Sequence, residues 1–173
     1  MQTSAIHFAL PVETPVGTFH ARYSLAGLCG LDFPTKKTDK AEPPKAAEQV
    51  PGRVQHWHAK TSRALKESLA GKVPKSLPPL DLSAGSAFQQ QVWAALLEIR
   101  FGQVRSYGEI AEALGKPKAT RAVGTACGSN PVPVFVPCHR VLAAGGGLGG
   151  FSGGLDWKRR LLQLEGIALR ESA

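Results

Sequence analysis

The segment Pro133–Val141 contains the residues best suited to covalent chemistry. It reads PVFVPCHRV, so that Cys138 stands beside His139 and Arg140 at the end of a short apolar run. A cysteine attacks as its thiolate, and a neighbouring base or cation favours that form. The segment is therefore a candidate site for a nucleophile. The alternative is an inert thiol in a buried strand, which the local sequence taken alone favours.

The predicted geometry around Cys138 limits what its neighbour can do. Val134–Val136 is β-branched or aromatic and too short for a helix, so we predict a buried strand or extended segment that Pro137 ends. Successive side chains of a strand point to opposite faces. His139 could then take the thiol proton only through a bridging water, or if the backbone turns at this point.

The remaining cysteines and histidines predict no second chemical centre. Cys29 and Cys127 lack a setting like that of Cys138, and we predict Cys29 to be a core residue and Cys127 to be a small packed residue of its helix. No pair of His or Cys residues in the N-terminal half has zinc-ligand spacing, so no metal and no cofactor are expected. The three cysteines lie far apart and imply no disulfide framework. A reducing, cytoplasmic location is expected, or a nuclear one in a eukaryote.

The composition and net charge of the chain indicate which kinds of partner it suits. The chain has 173 residues, of which 43% are hydrophobic and 20% charged, as in ordinary packed proteins. The formal net charge of +8 suits a polyanion such as nucleic acid. No stretch approaches the roughly 20 apolar residues of a membrane span. The N-terminal residues lack the basic start and apolar core of a signal peptide.

The first third of the chain predicts β structure. Thr18–Tyr23 and Leu28–Phe33 read as strands joined by a hairpin turn. Residues 34–53 are polar and Pro-rich, and predict a mobile surface loop. A helix is predicted from about Trp57 to Ala70, followed by an extended connector over Leu77–Leu82, where two prolines forbid a helix.

Helices are predicted after residue 81. Ser86 and Gln89 have the spacing of a capping box, and the helix that follows is expected to end near Arg100. A second capping box begins at Ser106. A further helix starts at Pro117 and runs to about Gly128.

The last two of these helices form a helix-turn-helix pattern, because a tight Gly-containing turn joins them. Lys118 and Arg121 lie near the N-terminus of the second helix, where backbone donors also favour phosphate. The small residues of this helix would let it approach a groove wall closely; they are Ala119, Ala122, Gly124 and Ala126. The alternative is an ordinary helical hairpin with a solvated basic end.

Several motifs occur together in an order typical of one family. Residues 88–124, which include most of the helix-turn-helix, read FQQQVWAALLEIRFGQVRSYGEIAEALGKPKATRAVG. They are followed by NPVPVFVPCHRV and then by GGFSGGLDWKRRLLQLEG. In these motifs the chain closely resembles the O6-alkylguanine-DNA alkyltransferases, or methylated-DNA–protein-cysteine methyltransferases. The resemblance is strong from about Leu80 to Gly166, and weaker in the N-terminal part.

The resemblance implies an α+β fold with two domains. Residues 1–80 would form a small N-terminal β-sheet domain with a helix and a mobile loop near 34–53. Residues 81–173 would form a mainly helical domain that contains the helix-turn-helix, binds DNA and transfers the alkyl group. The expected partner is double-stranded DNA, bound by a monomer, with no membrane involved.

The resemblance also implies a reaction. The Cys138 thiolate would attack the alkyl carbon on guanine O6, with thymine O4 as a further target, and keep the group as a thioether, so that each molecule acts once. By resemblance His139 is the base, acting through a water, and Glu165 orients it. Asn130 would brace the turn that presents Cys138. Tyr107 would donate a proton toward guanine N3 as the base leaves.

The target atom lies inside the duplex stack, so the base must be flipped out. By resemblance Arg121 fills the gap, and its helix enters the minor groove. The implied DNA contacts also include Ser106, Lys118, Ala119, Thr120 and Ala122. The implied substrate pocket is lined by Val141, Phe151, Ser152 and Gly153. The chain departs from many relatives at Phe151, where they have tyrosine, and at Arg100, where proline is frequent.

Three other functions compete with this interpretation. A non-enzymatic sensor of alkylated DNA has the same fold but lacks the cysteine, and Cys138 is present here. A helix-turn-helix regulator would leave the PCHRV motif unexplained. A cysteine hydrolase would need an oxyanion hole and a route for turnover, and the sequence indicates neither.

Overall fold

The computed structural model describes residues 8–35 and 50–169. Most of the predicted mobile loop, residues 34–53, lies outside the described residues. The architecture is α+β, as predicted, with one small sheet and a set of helices. No helix in the described part of the chain is long and apolar enough to cross a membrane.

Three antiparallel strands in the order β1-β2-β3 form the sheet; their bounds are Phe8–Thr14, Gly17–Tyr23 and Leu28–Asp32. β2 and β3 confirm the predicted hairpin. β1 was not predicted, and its sequence contains Pro11, which cannot donate to a strand ladder. Proline is tolerated there because, among the described residues, β1 lies at the edge of the sheet and pairs with β2.

The helix α1 (Gly52–Leu69) packs on this sheet through Val54, Ala64 and Leu65, which are fully buried. The Tyr23 hydroxyl donates to Thr61 Oγ1 at 2.9 Å and joins β2 to the helix. α1 begins earlier than predicted, directly after Pro51. We call the described residues up to 80 the sheet region, and those from 81 the helical region.

β3 connects the sheet region to the rest of the chain. Leu28 N donates to Pro79 O at 2.8 Å, and Asp81 N donates to Leu28 O at 2.9 Å, so the predicted extended connector runs along β3. Further along β3, Leu31 N donates to Pro131 O at 2.9 Å. The sheet therefore reaches the segment that leads to Cys138.

The helical region contains α2 (Ala87–Leu97), α3 (Tyr107–Ala113), α4 (Thr120–Gly128) and α5 (Leu155–Leu164). Both predicted capping boxes are confirmed, since Ser86 and Ser106 each exchange two hydrogen bonds with the residue three positions later. α2 ends somewhat before Arg100, where a turn begins. A single 3₁₀ turn over Pro117–Ala119 precedes α4, as the position of the proline predicted.

Two short strands bring the helix-turn-helix next to the Cys138 segment. β4 (Arg105–Ser106) pairs in parallel with β5 (Val141–Leu142). Ser106 caps α3, and Val141 directly follows the CHR sequence. Residues that are far apart in the sequence are thereby held on one side of the helical region.

The predicted strand over Val134–Val136 is wrong. The segment is a tight turn in which Val136 N donates to Val132 O at 2.9 Å, and Val134 has a left-handed φ of 75°. Prolines surround the turn and lack the N–H groups that a paired strand needs. Cys138–Arg140 forms one 3₁₀ turn, so the alternation of strand side chains does not apply to His139.

Candidate active site

The turn before Cys138 is held by one amide side chain. Asn130 is buried, and its Nδ2 donates to Val136 O at 2.8 Å and to Cys138 Sγ at 3.1 Å. Its Oδ1 accepts from Val132 N at 3.0 Å. The amide therefore holds the turn on both sides and also contacts the sulfur of Cys138. Val134 adopts its strained φ inside this braced turn.

His139, Arg140 and Glu165 form a buried network behind the thiol. His139 Nε2 lies 2.7 Å from Glu165 Oε1, and His139 is 1% exposed. Arg140 Nε and Nη2 donate to the same carboxylate at 2.9–3.1 Å. Gly102 N donates to Glu165 Oε2 at 3.1 Å. Glu165 is thus fixed from three sides and fixes the imidazole in turn.

The charges of this network follow from burial and hydrogen bonds. Burial raises the pKa of Glu165, but hydrogen bonds from His139 and Arg140 outweigh it and hold the pKa at about 2. Burial lowers the pKa of His139, against the opposing effect of Glu165. The carboxylate is therefore ionised at neutral pH, and the imidazole is neutral and able to accept a proton. Its Nδ1 is buried and has no hydrogen-bond partner among the described residues.

The thiol of Cys138 is protonated in this state. It is 3% exposed, and burial raises its pKa to about 11. The hydrogen bond from Asn130 and the charge of Lys158 lower the pKa only in part. The thiol therefore needs a base at the moment of reaction, and the local field alone does not ionise it.

Lys158 is a buried cation that sequence reasoning missed. It is 0% exposed, and its Nζ donates to Val141 O at 2.6 Å and to Gly150 O at 3.3 Å. Burial lowers its pKa, and the two nearby thiols oppose this. Its position on α5 could have been noticed, because residues 158, 161, 162 and 165 fall on one helical face.

Tyr107 stands at the start of α3 with its ring beside Lys158, whose Nζ lies 5.9 Å from the ring centroid. Burial raises the pKa of Tyr107, so the hydroxyl stays protonated at neutral pH. The Gly145–Gly150 loop lies against this hydroxyl. Gly149 has φ +67°, and a Cβ on it would lie 2.6 Å from the Tyr107 oxygen, so only glycine fits there.

Most of the residues predicted to contact or approach DNA are exposed, but Ala126 is buried. α4 packs on α2 and α3. The 3₁₀ turn before it and its first turn are exposed at Lys118, Thr120, Arg121 and Ala122, with Ala119 half-buried, and we call these five residues the exposed end of α4. The Ser106 hydroxyl accepts from Glu109 N as a helix cap. Ala126 does not face a groove: it is 2% exposed, and its carbonyl accepts from Trp93 Nε1 at 2.9 Å. Its helical phase points it toward α2.

The four predicted pocket residues are positioned in different ways. Val141 is buried in β5, and its carbonyl already accepts from Lys158. The Phe151 ring packs on Phe33 of the sheet region, with centroids 5.6 Å apart. Gly153 lies against both rings and Ser152 is exposed.

The other two cysteines differ from Cys138 in setting. Cys127 is buried on α4, as predicted, and burial raises its pKa to about 12. Cys29 is only half-buried, because its side chain lies at the sheet edge with Sγ 3.4 Å from Arg22 O. In the described ranges no cluster of three or more His, Cys, Asp or Glu residues could hold a metal ion.

Comparisons with known proteins match this chain over most of its length. Residues 87–167 match the family described as 6-O-methylguanine DNA methyltransferase, DNA binding domain. A methylated-DNA–protein-cysteine methyltransferase of Methanosarcina acetivorans is 40% identical over 154 residues, which are 89% of this chain and 95% of that protein. The chain belongs to this methyltransferase family.

Further relatives support the family assignment. A methylated-DNA–protein-cysteine methyltransferase of Mycolicibacterium paratuberculosis is 55% identical over 96 residues, covering 56% of this chain and 58% of that protein. The crystal structure of Mycobacterium tuberculosis OGT in complex with DNA superposes with a TM-score of 0.70 at 37% identity, over 90% of each chain. The likeness to the methyltransferase structures thus includes the sheet region as well as the helix-turn-helix.

Proposed function

We propose that this chain repairs DNA by moving a methyl or other alkyl group from O6 of guanine to Sγ of Cys138. A carbon–sulfur bond forms as the carbon–O6 bond breaks, and the electron pair of the broken bond stays with guanine. The thioether is not hydrolysed, so each molecule acts once. The observation that carries the proposal is a buried thiol held by Asn130 beside the His139–Glu165 pair, in a member of this family.

The proton of Cys138 leaves through His139. The thiol has a pKa of about 11, so it requires a base. His139 is neutral, its Nε2 is taken by Glu165, and its Nδ1 is the remaining acceptor. A water between Nδ1 and Sγ would carry the proton. Glu165 stabilises the imidazolium that forms, which is the orienting role of the third group in a nucleophilic triad.

Tyr107 supplies a proton on the other side of the reaction. Its hydroxyl is protonated at neutral pH because burial raises its pKa. Donation toward guanine N3 would neutralise the negative charge that builds on the departing base. A donor matched to charge that develops during reaction accelerates the chemical step.

DNA binding is assigned to the exposed end of α4, with the substrate base flipped out of the stack. Arg121 would fill the gap left by the base, while Lys118, Thr120 and the cap residue Ser106 would contact phosphate. Ala119 and Ala122 would permit a close approach to the minor groove. The pocket for the flipped base would include Val141, Phe151, Ser152 and Gly153.

Two broader assignments belong to the same proposal. The division into a sheet domain and a DNA-binding domain near residue 80 is supported by the family match, which starts at residue 87. A reducing, cytoplasmic or nuclear location suits a protein whose function depends on a free thiol. A sensor that lacks the acceptor cysteine is not favoured, because Cys138 is present.

The decisive experiment is mass spectrometry after incubation with duplex DNA that contains O6-methylguanine. We expect one added methyl group per molecule, located on Cys138. An intact, folded protein without an adduct would contradict the transferase assignment. An adduct on Cys127 instead would retain the reaction but move the acceptor.

A further inference from the structure

Most of the net positive charge lies outside the helix-turn-helix. Residues 52–80 contain six Lys or Arg residues and one acidic residue, Glu67, so they contribute +5 of the formal +8. Residues 81–173 contain ten basic and seven acidic residues and contribute only +3. Residues 52–80 therefore have a larger net positive charge than the whole of residues 81–173, which suits a polyanionic partner.

These six cations share the solvent side of α1 and of the segment after it. The helix turns its apolar side to β1 and β2, which leaves the charged side chains in water. Five are exposed and Lys60 is half-buried. In the ion pairs found within residues 8–35 and 50–169, none of the six takes part. We call this surface the α1 basic face; it comprises Arg53, Lys60, Arg63, Lys66, Lys72 and Lys75.

The centre of the α1 basic face is concave. Arg63, Lys66 and Lys72 border a shallow depression of about 550 Å³. Its other lining residues are Glu67 and the short side chains of Ala59, Ser62 and Ala70. Glu67 is partly engaged, since its Oε2 accepts from Lys75 N at 3.0 Å. Short side chains between cations leave room for a phosphate chain to approach the helix backbone.

The side chains of the α1 basic face favour double-stranded over single-stranded nucleic acid. Single strands are bound by stacking bases on aromatic rings. Trp57 is half-buried with the Arg53 guanidinium 5.8 Å from its ring centroid, and the depression has no aromatic residue. Phosphates of a duplex need only cations and polar groups, without base contacts.

We propose that the α1 basic face is a second DNA contact, which binds the phosphate backbone of a duplex segment other than the one held by α4. α1 packs on β1 and β2, whereas α4 packs on α2 and α3, so the two contacts belong to different parts of the fold. The inference rests on the proposed function only in taking DNA as the polyanion. A protein with two contacts can hold one segment while α4 samples bases on another.

The first test is the salt dependence with which a labelled undamaged duplex binds Cys138→Ala protein that is already saturated with unlabelled lesion-containing duplex, measured by fluorescence anisotropy. The variant is Arg63→Gln with Lys66→Gln, and the matched control is Arg159→Gln with Arg160→Gln on α5. Each phosphate contact contributes ~0.9 to the slope of log affinity against log salt, so the variant slope should fall by about 1.8. A slope equal to that of the parent, or an equal fall in the control, overturns the proposal.

The second test asks whether the contacted phosphates belong to another segment. Beads carrying a duplex with the lesion hold Cys138→Ala protein, and a labelled undamaged duplex is then added. We expect capture by the parent and by the α5 control, and loss of capture in the Arg63→Gln, Lys66→Gln variant. No capture by the parent would mean that the face contacts flanking phosphates of the same duplex, which contradicts the proposal.

Failure of this inference is distinguishable from failure of the proposed function. Transfer from a free O6-alkylguanine base needs no DNA contact, so its rate should be equal in the parent and in the Arg63→Gln, Lys66→Gln variant. An equal rate also shows that the variant is folded. Absence of the Cys138 adduct in the parent would count against the proposed function while leaving both binding tests readable.

Discussion

The turn that carries Cys138 and the exposed end of α4 differ in how far their side chains are buried and hydrogen-bonded. Around the turn, Asn130 and His139 are buried and the Glu165 side chain is 7% exposed, and all three are hydrogen-bonded to one another or to the backbone. At the end of α4, Lys118 and Arg121 project into solvent. Chemistry needs groups held to a fraction of an ångström, whereas contact with many DNA sequences needs adaptable charges. Changes in the turn should therefore affect the rate of transfer, and changes at the exposed end of α4 should affect DNA binding.

The largest effect is expected for Cys138→Ala. It removes the acceptor, so transfer should be abolished, while the exposed end of α4 keeps its charges and DNA binding should persist. Single-turnover transfer and anisotropy on the same preparation check this. Simultaneous loss of binding and transfer would mean that the thiol is a structural part of the DNA surface, and the contrast between the two regions would fail.

Glu165→Gln should slow transfer by about 100-fold, because the imidazolium loses its stabilising charge. It should also lower the free energy of unfolding by ~3 kcal/mol, since the Arg140 guanidinium is then left buried without its carboxylate. Rapid-quench kinetics and urea denaturation provide the two measurements. Unchanged stability with slow transfer would show that the ion pair serves catalysis alone.

The same carboxylate predicts a pH dependence of stability. The pKa of Glu165 is about 2 in the folded protein, below its ordinary value of 4.5. Its stabilising contribution is complete above the ordinary pKa and is lost as pH falls from there toward 2. The difference corresponds to roughly 3 kcal/mol. Denaturation at a series of pH values should show this acid loss in the parent and a flatter profile in Glu165→Gln.

Lys158→Met tests the buried charge beside Cys138, because methionine keeps a similar aliphatic side chain and removes the positive charge. The cation lowers the pKa of Cys138, so its loss should raise that pKa and slow transfer at neutral pH by about tenfold. The pH–rate profile for transfer from the free base should shift to higher pH. A rate loss without that shift would indicate that the hydrogen bonds to Val141 and Gly150 matter more than the charge.

Arg121→Ala should have the smallest effect on the chemical step. Repair in duplex DNA should fall by about tenfold, because the flipped state loses a stabilising contact of ~1.4 kcal/mol. Transfer from a free O6-alkylguanine base should be unchanged. Equal losses with both substrates would contradict a role in flipping and would place Arg121 in the support of the acceptor turn.

The features that the sequence predicted well are local ones. Each capping box lies within four residues, so the spacing of Ser86 and Gln89 was sufficient to locate the start of α2. The left-handed Val134 could not be predicted, because the turn depends on the Asn130 side chain reaching across it. A valine there looks like a strand residue by every local rule.

Lys158 shows the same limit within the site. Helical periodicity could place Lys158 on the apolar face of α5, but the carbonyls of Val141 and Gly150 that accept from its buried ammonium could not be predicted. The positions of Cys138, His139 and Glu165 were inferred through the family resemblance. The Arg140 contacts that fix Glu165 in place were not inferred, because they depend on where α5 ends.

The hydrogen bond from Leu31 N to Pro131 O also bears on the order of folding. It joins residues one hundred positions apart, and closing a loop of that length costs entropy before the contact is gained, which slows its formation. The segment before Cys138 acquires its fastening only when β3 has docked beside it. We therefore expect the single-use thiol to be supported from the β3 side only late in folding.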